Sequence, residues 1–435
     1  MATRYVDPSA SSNGTGTAGS PYNTPVGATL DAGDSLLFKC GTTWLATGRY
    51  QPTNTGTASA PITIGSYGNG PLPILHGQDS VDIAIQITDH AHYVIEDIEF
   101  QNYTRCGPYL GSTGDDDTRV RNTTIRRCVV HGILGDSNGT GIQGWGTGIT
   151  IQDCVISRTE SDGIWMRGAN LTIKNNNISL CSYNAGGQGD CIQIDNCDTG
   201  LLIQNNYIDH TRNGDKQALL IRQEGGGQSA ALVIGNTIVG TTVVGSGLVT
   251  VQGALGVNFI GNRFEFQNNA AIFYLKEGSN LAQGVVMGNL FLGNGTQGRA
   301  VSSDDPSGVI SAYCNTIIGT DQGLVLGTQG KAANNICHTQ ARAAIYAEAY
   351  KKNNCIFNNT TSGGMTYDGT HVTDDPLLDA SYRPRAGSPV IGAGTYIPGA
   401  KHFGGVPMNA GAPDIGAHRY FEAREIAASR TVRRV

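Results

Sequence analysis

A short phrase recurs along the chain, and this repeat limits the fold more than any other feature of the sequence. In each copy apolar and polar residues alternate over a few positions, as they do in a strand that buries one face. The copies are residues 93–100, 124–130, 150–156, 172–178, 202–208, 233–238, 259–264, 286–291 and 313–317. Their period of about 19 to 30 residues is typical of stacked solenoid units. The sequence therefore predicts an all-β solenoid whose strands stack in parallel, coil upon coil.

One position of the repeat is occupied by asparagine in most copies. The column consists of Asn176, Asn206, Asn236, Asn262, Asn289, Asn315, Asn334 and Asn354, and Cys128 and Cys154 precede it at the equivalent position. Asparagine tolerates a left-handed backbone at a tight bend, and its amide can donate to the carbonyl of the asparagine one coil away. We therefore predict a structural asparagine ladder inside one turn of the solenoid.

The repeat and the asparagine column resemble the pectate-lyase-like superfamily of right-handed parallel β-helices, which includes polysaccharide lyases, glycoside hydrolases and bacteriophage tailspikes. The resemblance covers residues 30–420, and segments 5–15 and 60–74 are similar to the N-terminal coils of such proteins. It implies an N-terminal cap with the first coils at 1–90 and a β-helix at 91–360. A tail at 361–435 packs on the last coils, because a solenoid needs caps over its open sheet edges. Residues 421–435, with helix-forming residues and a basic end, form an exposed tail or a docking peptide.

Charge and composition exclude several other classes of protein. The chain has 29 basic and 35 acidic residues, a formal net charge of −6, and its charges are scattered, which argues against nucleic acid as a partner. We see neither a signal-peptide pattern at the first residues nor an apolar run long enough for a membrane span. Several of the 10 cysteines stand at strand-like positions, so we expect buried free thiols and no zinc site.

The strands that follow the asparagine turns suggest a carbohydrate-binding wall. Alternation places one outward column at Trp145, Arg167, Asp195, Arg222, Gln252 and Lys276, and a second at Gln143, Trp165, Gln193, Leu220, Thr250 and Tyr274. Aromatic faces stack on sugar rings, and arginine binds carboxylates or hydroxyl groups. The substrate-binding candidates are Trp145, Trp165, Arg167, Arg222, Tyr274 and Lys276. The alternative interpretation is a stack of exposed ion pairs, Arg167 with Asp195 and Asp195 with Arg222.

Acidic residues near the same strands are candidates for catalysis. They are Asp162, Asp190, Asp195 and Glu224, and Asp162 and Asp190 occupy equivalent positions on successive coils. Glycoside hydrolysis needs one protonated and one ionised carboxyl group, and like charges one coil apart raise one pKa. Acids that precede a turn are also ordinary Asx-turn formers, which is the structural alternative.

The reaction type and the need for a metal stay open at the level of sequence. A lyase would use a base and a cation beside a uronate, for which Arg167, Arg222, Lys276 and His210 are candidates. The chain lacks the Gly-His-Gly triplet of polygalacturonase-like hydrolases and the clear calcium-binding triad of pectate lyases. No cofactor is expected; the acidic run 114–118 is a possible calcium site, although it reads more simply as a solvated loop.

Three functions are compatible with these features. The first, implied by the resemblance, is a tailspike-like depolymerase of bacterial surface glycan, homotrimeric, located in the virion tail and attached to a virion partner through the C-terminal tail. The second is a secreted bacterial polysaccharide lyase or glycoside hydrolase. The third is a non-catalytic structural or adhesin β-helix that binds sugars without cleaving them.

Overall fold

The structure is a computed structural model, and it describes residues 1–111, 118–135, 138–183, 189–211, 216–223, 228–241, 247–267, 269–275, 282–294, 298–339, 345–347, 349–359 and 369–419. The chain divides into two compact units. Unit 1 comprises residues 1–257 and 277–280, and unit 2 comprises residues 258–276 and 281–435. In each unit the strands form three parallel sheets, which confirms the predicted all-β parallel solenoid.

Unit 1 contains the three sheets in their most regular form. The first sheet consists of Thr3–Val6, Ser35–Lys39, Ile62–Tyr67, Tyr93–Glu96, Thr124–Arg126, Thr150–Gln152, Thr172–Lys174, Leu201–Gln204 and Gln228–Ile234. The second consists of Thr43–Leu45, Ile74–His76, Glu99–Gln101, Val129–Ile133, Val155–Thr159, Asn177–Ser179, Tyr207–His210 and Thr237–Thr241. The third consists of Ile83–Thr88, Cys106–Gly111, Ile142–Thr147, Ile164–Ala169, Ile192–Asp195, Leu219–Arg222 and Gly247–Gln252.

The core of unit 1 is built from columns of like residues that stack coil upon coil. One such column in the first sheet pairs in register and is buried throughout: Ile125, Ile151, Ile173, Ile203 and Val233. Branched side chains pack well on a pleated surface, and burying each one contributes about 1.5–3 kcal/mol. Because every coil repeats the same alternation, the same face is buried along the whole stack.

Unit 2 repeats this arrangement with shorter strands. Its first sheet consists of Gln283–Met287, Val309–Tyr313, Lys331–Ala333 and Tyr350–Lys352, and its second of Arg263–Gln267, Leu290–Gly293, Thr316–Ile318, Ile336–His338 and Cys355–Phe357. Its third consists of Ala270–Leu275, Arg299–Ser303, Gln322–Val325 and Ile345–Tyr346. The strand Leu255–Ile260 begins in unit 1 and ends in unit 2. In the core, the rings of Phe264 and Phe291 stack with centroids 4.8 Å apart.

The asparagine column forms a buried hydrogen-bonded ladder in each unit. In unit 1, the backbone N–H and the Nδ2 of Asn176 both donate to Oδ1 of Asn206, at 2.9 and 3.0 Å, and Asn206 repeats this contact with Asn236. Each Nδ2 also donates to a carbonyl of the neighbouring coil, as Asn206 does to Ile173. In unit 2 the same contacts join Asn262, Asn289, Asn315, Asn335 and Asn354. The predicted ladder is therefore confirmed.

Two details of that prediction are wrong. The seventh rung is Asn335, whereas Asn334 is the residue before it and uses its side chain to bond Thr395 of the C-terminal tail. The left-handed backbone also lies one residue before the ladder, at Asn175 and Asn205, with φ of 56° and 54°. The ladder amide therefore satisfies buried groups, and its predecessor makes the bend.

The C-terminal residues 369–419 belong to unit 2 and pack on its strands without forming sheets. Ala400 and Met408 pack with Met287 in one buried cluster, and Val390 and Ile415 pack with Ile336 in another. The predicted docking peptide 421–435 lies outside the described residues, and the predicted domain limits at 90 and 360 stay predictions. The one helical element found in the described ranges is the 3₁₀ turn Phe403–Gly405. Within those ranges no helix has the length and apolar character to cross a bilayer.

Candidate functional site

The outward face of the third sheet of unit 1 carries the polar and aromatic columns that the sequence predicts. Strand pairing puts Trp145, Arg167, Asp195, Arg222 and Gln252 at one level on successive coils. The same pairing puts Gln143, Trp165, Gln193 and Leu220 at the neighbouring level. We call this surface the wall; it comprises Tyr109, Trp145, Trp165, Arg167, Gln193, Asp195 and Arg222.

An aromatic row forms one half of the wall. The ring centroids of Tyr109 and Trp145 are 5.8 Å apart, and those of Trp145 and Trp165 are 5.6 Å apart, in edge and tilted arrangements. All three rings are half-buried, so each keeps part of its surface open to solvent. The guanidinium of Arg105 lies over the Tyr109 ring, 4.9 Å from its centroid. Such pairs hold their rings in fixed positions and leave an amphipathic surface.

The sequence pattern did not predict Tyr109 or Arg105. Tyr109 lies in the strand Cys106–Gly111, and Arg105 is the residue before that strand, which contains two glycines and a proline and so lacks the alternating phrase of the other coils. Its pairing with Ile142–Thr147 places Tyr109 opposite Gln143. The usable signal was the short alternation of Tyr109 with its buried apolar neighbour Leu110.

Asp195 is the centre of the polar half of the wall. Its Oδ2 accepts hydrogen bonds from Trp165 Nε1 and Gln193 Nε2, both at 2.8 Å, and its Oδ1 accepts one from Arg222 Nε at 2.9 Å. Only 5% of Asp195 is exposed. The structure shows the expected ion pair between Asp195 and Arg222. Arg167 pairs with Asp195 in backbone register.

Asp162 and Asp190 lie at the turn before the wall strands and connect successive coils. Oδ1 of Asp162 accepts the backbone N–H of Asp190 at 2.8 Å, and Oδ1 of Asp190 accepts the backbone N–H of Gln217 at 2.7 Å. The two residues are 4% and 2% exposed. Both bonds join one coil to the next and satisfy backbone N–H groups there, so they differ from the local Asx turn that was the structural alternative.

Burial changes the acidity of both carboxyl groups. It raises the pKa of Asp162 to about 7, and hydrogen bonds from Asp190 and Ser161 oppose that rise. Burial also raises the pKa of Asp190 well above its usual value, with a further rise from the neighbouring charge of Asp162. Desolvation penalises the charged form of each group, and the two charges repel. A protonated carboxyl group near neutral pH is thus available at this turn.

These shifts predict that unit 1 loses stability as the pH rises. An unfolded aspartate has a pKa of about 3.9, so the folded state holds its proton more tightly than the unfolded state. The contribution is fully present below about pH 4 and is lost as the pH rises through about 7. We expect the free energy of unfolding to fall by roughly 2–4 kcal/mol over this range and Asp162→Asn to remove much of that fall. Urea unfolding at several pH values measures it, and the exposed Asp153→Asn is the control; an equal slope in wild type and Asp162→Asn would contradict the burial effect.

Tyr274 does not bind at a surface, and its assignment as a substrate-binding residue is wrong. Tyr274 is fully buried, and its ring packs edge-on against Phe259 with centroids 6.3 Å apart. In its strand Ala270–Leu275 the outward residues are Phe273 and Leu275, one position away from the predicted register. A one-residue shift moves every side chain to the opposite face.

Other predicted site residues are either buried or not described. His210 is 2% exposed and its Nδ1 lies 3.6 Å from Cys191 Sγ, away from solvent. Glu224, Lys276 and most of the acidic run 114–118 lie outside the described residues. No disulfide joins the ten cysteines, and nine of them are buried, as predicted. The described ranges contain no group of three or more His, Cys, Asp or Glu that could hold a metal ion.

A family model agrees with this architecture. A family model described as a right-handed β-helix region matches residues 83–306. Among solved structures, the PL6 family alginate lyase AlyGC is 11% identical with a TM-score of 0.50, covering 91% of this chain and 57% of its own. Pectate lyase Pel9A is 15% identical with a TM-score of 0.43 and 97% coverage of both chains. A GH136 lacto-N-biosidase from Eubacterium ramulus is 13% identical with a TM-score of 0.44, covering 86% and 67%. No curated protein sequence matches; the structural likenesses are likenesses of fold.

Proposed function

The chain belongs to the right-handed β-helix family, and from this premise we propose that it binds a polysaccharide along the wall of unit 1 and cleaves it. The observation that carries the proposal is the aromatic row Tyr109, Trp145 and Trp165 on three successive coils. Fold alone does not specify function, so the argument rests on these side chains.

The wall has the chemistry that sugar binding requires. A pyranose ring presents apolar C–H faces, which stack on aromatic rings, and a rim of hydroxyl groups, which need hydrogen-bond partners. Trp145 and Trp165 supply the aromatic rings for stacking. The hydrogen-bonding groups around Asp195 lie in the strand next to Trp165. The wall carries the guanidinium groups of Arg167 and Arg222, and that of Arg105 lies over its Tyr109 ring, which favours a glycan that carries acidic sugars.

For cleavage we propose Asp162 and Asp190 as the acid and base pair. The raised pKa of Asp162 suits an acid that is protonated near neutral pH, and Asp190 lies on the next coil. Both carboxyl groups are nearly buried, so a substrate has to approach them at the turn that precedes the wall strands. We propose Glu224 as a third acid.

We predict that Asp162→Asn and Asp190→Asn reduce glycan cleavage by a factor of about 100 or more. Each amide keeps the oxygen that accepts the next coil's backbone N–H but has no proton to exchange. Cleavage is followed by the size of the glycan, and absorbance of a new double bond in the product distinguishes a lyase from a hydrolase. Asp153→Asn, exposed in the neighbouring turn, is the matched control. Full activity in both test variants would exclude the pair from the mechanism.

The finer proposal is a tailspike-like depolymerase of bacterial surface glycan. It includes a homotrimer, a virion-tail location and a virion partner for the C-terminal tail, all suggested by the resemblance of the repeat. A secreted polysaccharide lyase or glycoside hydrolase is the alternative. Sedimentation of the intact chain tests the trimer, since a monomer would favour the alternative.

A non-catalytic glycan-binding protein is the second candidate, and one observation favours it. Asp162, Asp190 and Asp195 are 4%, 2% and 5% exposed, so these three carboxyl groups have little open surface. Incubation with a bound glycan separates the two functions. Shortened chains support an enzyme, and tight binding with chains of unchanged length supports a binding protein.

A further inference from the structure

We infer that Asp195 is a positioning residue, which holds Trp165 and Arg222 in the orientations that a glycan meets, and that it is neither the catalytic acid nor the base. The inference rests on the proposed glycan wall and deepens it. The observation behind it is that one carboxylate accepts hydrogen bonds from side chains of three successive coils.

The hydrogen bonds leave little room for proton transfer. Oδ2 has two lone pairs, and the indole N–H of Trp165 and the amide of Gln193 occupy both at 2.8 Å. Oδ1 accepts from the guanidinium of Arg222 at 2.9 Å. A proton on Oδ2 would therefore have to displace one of its two donors, and a proton on Oδ1 would lie beside the guanidinium of Arg222. A catalytic acid or base must gain and lose a proton without losing the hydrogen bonds that hold it in place.

The same contacts are well suited to fixing orientation. An indole rotates about two side-chain bonds, and a hydrogen bond at Nε1 fixes the plane of the ring as well as its position. The ring of Trp165 then lies 5.6 Å from that of Trp145, which extends the aromatic row. On the following coil, the bond to Arg222 Nε orients the guanidinium in the same way. Because Asp195 is 95% buried, water does not readily replace it as the acceptor.

The position of Asp195 also connects the two halves of the wall. Its strand Ile192–Asp195 pairs with Ile164–Ala169 on one side and with Leu219–Arg222 on the other. The aromatic half and the cationic half therefore share one buried anion. Charge-assisted hydrogen bonds are about twice as strong as neutral ones, so the carboxylate does more than an amide could.

The test compares Asp195→Asn and Trp165→Phe with wild type. The first keeps the shape of the side chain and removes the charge, and the second keeps an aromatic ring but removes the Nε1–H donor together with part of the stacking surface. Near-ultraviolet circular dichroism reports the geometry of the Trp145 and Trp165 pair without any ligand. Calorimetry with a glycan fragment gives affinity, and kcat is measured at saturating glycan. Asp198→Asn is the matched control, since Asp198 is exposed and its carboxylate accepts a hydrogen bond from Gln223.

If Asp195 positions the wall, Asp195→Asn changes the tryptophan dichroism, and both variants weaken glycan affinity by about 10-fold to 100-fold, while kcat falls by less than about 3-fold. Asp198→Asn leaves all three measurements unchanged. An unchanged tryptophan signal in Asp195→Asn overturns the inference, and so does a loss of kcat with unchanged affinity, which is the signature of a catalytic role. Failure of the wild type to bind any glycan would instead reject the proposed function, and the dichroism would still decide whether Asp195 orients Trp165.

Discussion

We expect Asn206→Ala to lower the free energy of unfolding of unit 1 by roughly 3–5 kcal/mol. Its Oδ1 accepts from the backbone N–H and the Nδ2 of Asn176, and its own Nδ2 donates to Asn236 and to the carbonyl of Ile173. Alanine removes all four contacts, and Asn206 is 1% exposed, so water cannot easily substitute. Each buried group left without a partner costs about 1–3 kcal/mol. Chemical denaturation followed by far-ultraviolet circular dichroism measures the loss.

The control for this prediction is an exposed asparagine that lies next to a different residue of the ladder. Asn177 is exposed beside the ladder residue Asn176, and Asn177→Ala should change stability by less than about 0.5 kcal/mol. The comparison separates the ladder from the general effect of losing an asparagine. Equal effects of the two substitutions would mean that the buried amide contacts add nothing to stability.

The second large effect concerns the wall, where we expect Trp145→Ala to weaken glycan binding by about 10-fold to 100-fold. Trp145 lies between Tyr109 and Trp165 in the aromatic row, so its removal interrupts the stacking surface at the centre. The side chain is outward and half-buried, so the loss of core packing is small. Calorimetric titration with a glycan fragment measures the affinity, and thermal unfolding checks that the coil is intact.

An exposed aromatic residue on another sheet of unit 1 provides the comparison. Tyr207 lies on the second sheet and is 42% exposed, and Tyr207→Ala should leave glycan affinity unchanged. If Tyr207→Ala weakened binding as much as Trp145→Ala, the wall would not be the binding surface. If neither had any effect, the ligand would bind elsewhere on the chain.

The fold could be predicted because the repeat states the same information many times. A single alternating phrase is ambiguous, but the recurrence of a phrase such as 124–130 at 150–156 and 172–178 requires that the strands stack in register. The rung assigned to Asn334 was wrong because that copy of the repeat is ambiguous by itself. Lys331–Ala333 is followed by two asparagines, and either Asn334 or Asn335 fits the column. Contacts with Asn315 and Asn354, which are distant in sequence, decide between them.

Tyr274 shows the same limit for the wall. Its strand is apolar at every position from Ala270 to Leu275, so alternation does not say which residues face inward. The wall of unit 1 could be predicted, since Trp165, Arg167 and Asp195 alternate with the buried residues Ile164, Met166 and Ile194. Strands that alternate polar and apolar residues reveal their own register, and uniformly apolar strands do not.

The roles of individual acids could not be read from spacing. The repeat placed Asp162 and Asp190 at equivalent positions, but it did not show that each caps the backbone N–H of the following coil. For Asp195, the repeat predicted an outward position and placed Arg222 one coil away. Its bond to the indole of Trp165 depends on a side-chain rotamer, which no sequence pattern specifies.

The most direct test of the central claim is a crystal structure of the protein with a glycan fragment selected by its binding in solution. We predict sugar density on the outward face of the third sheet of unit 1, with one ring stacked on Trp145 or Trp165 at about 4 Å and polar groups facing Arg222. Density for the same fragment on the first or second sheet, with the wall empty, would contradict the account.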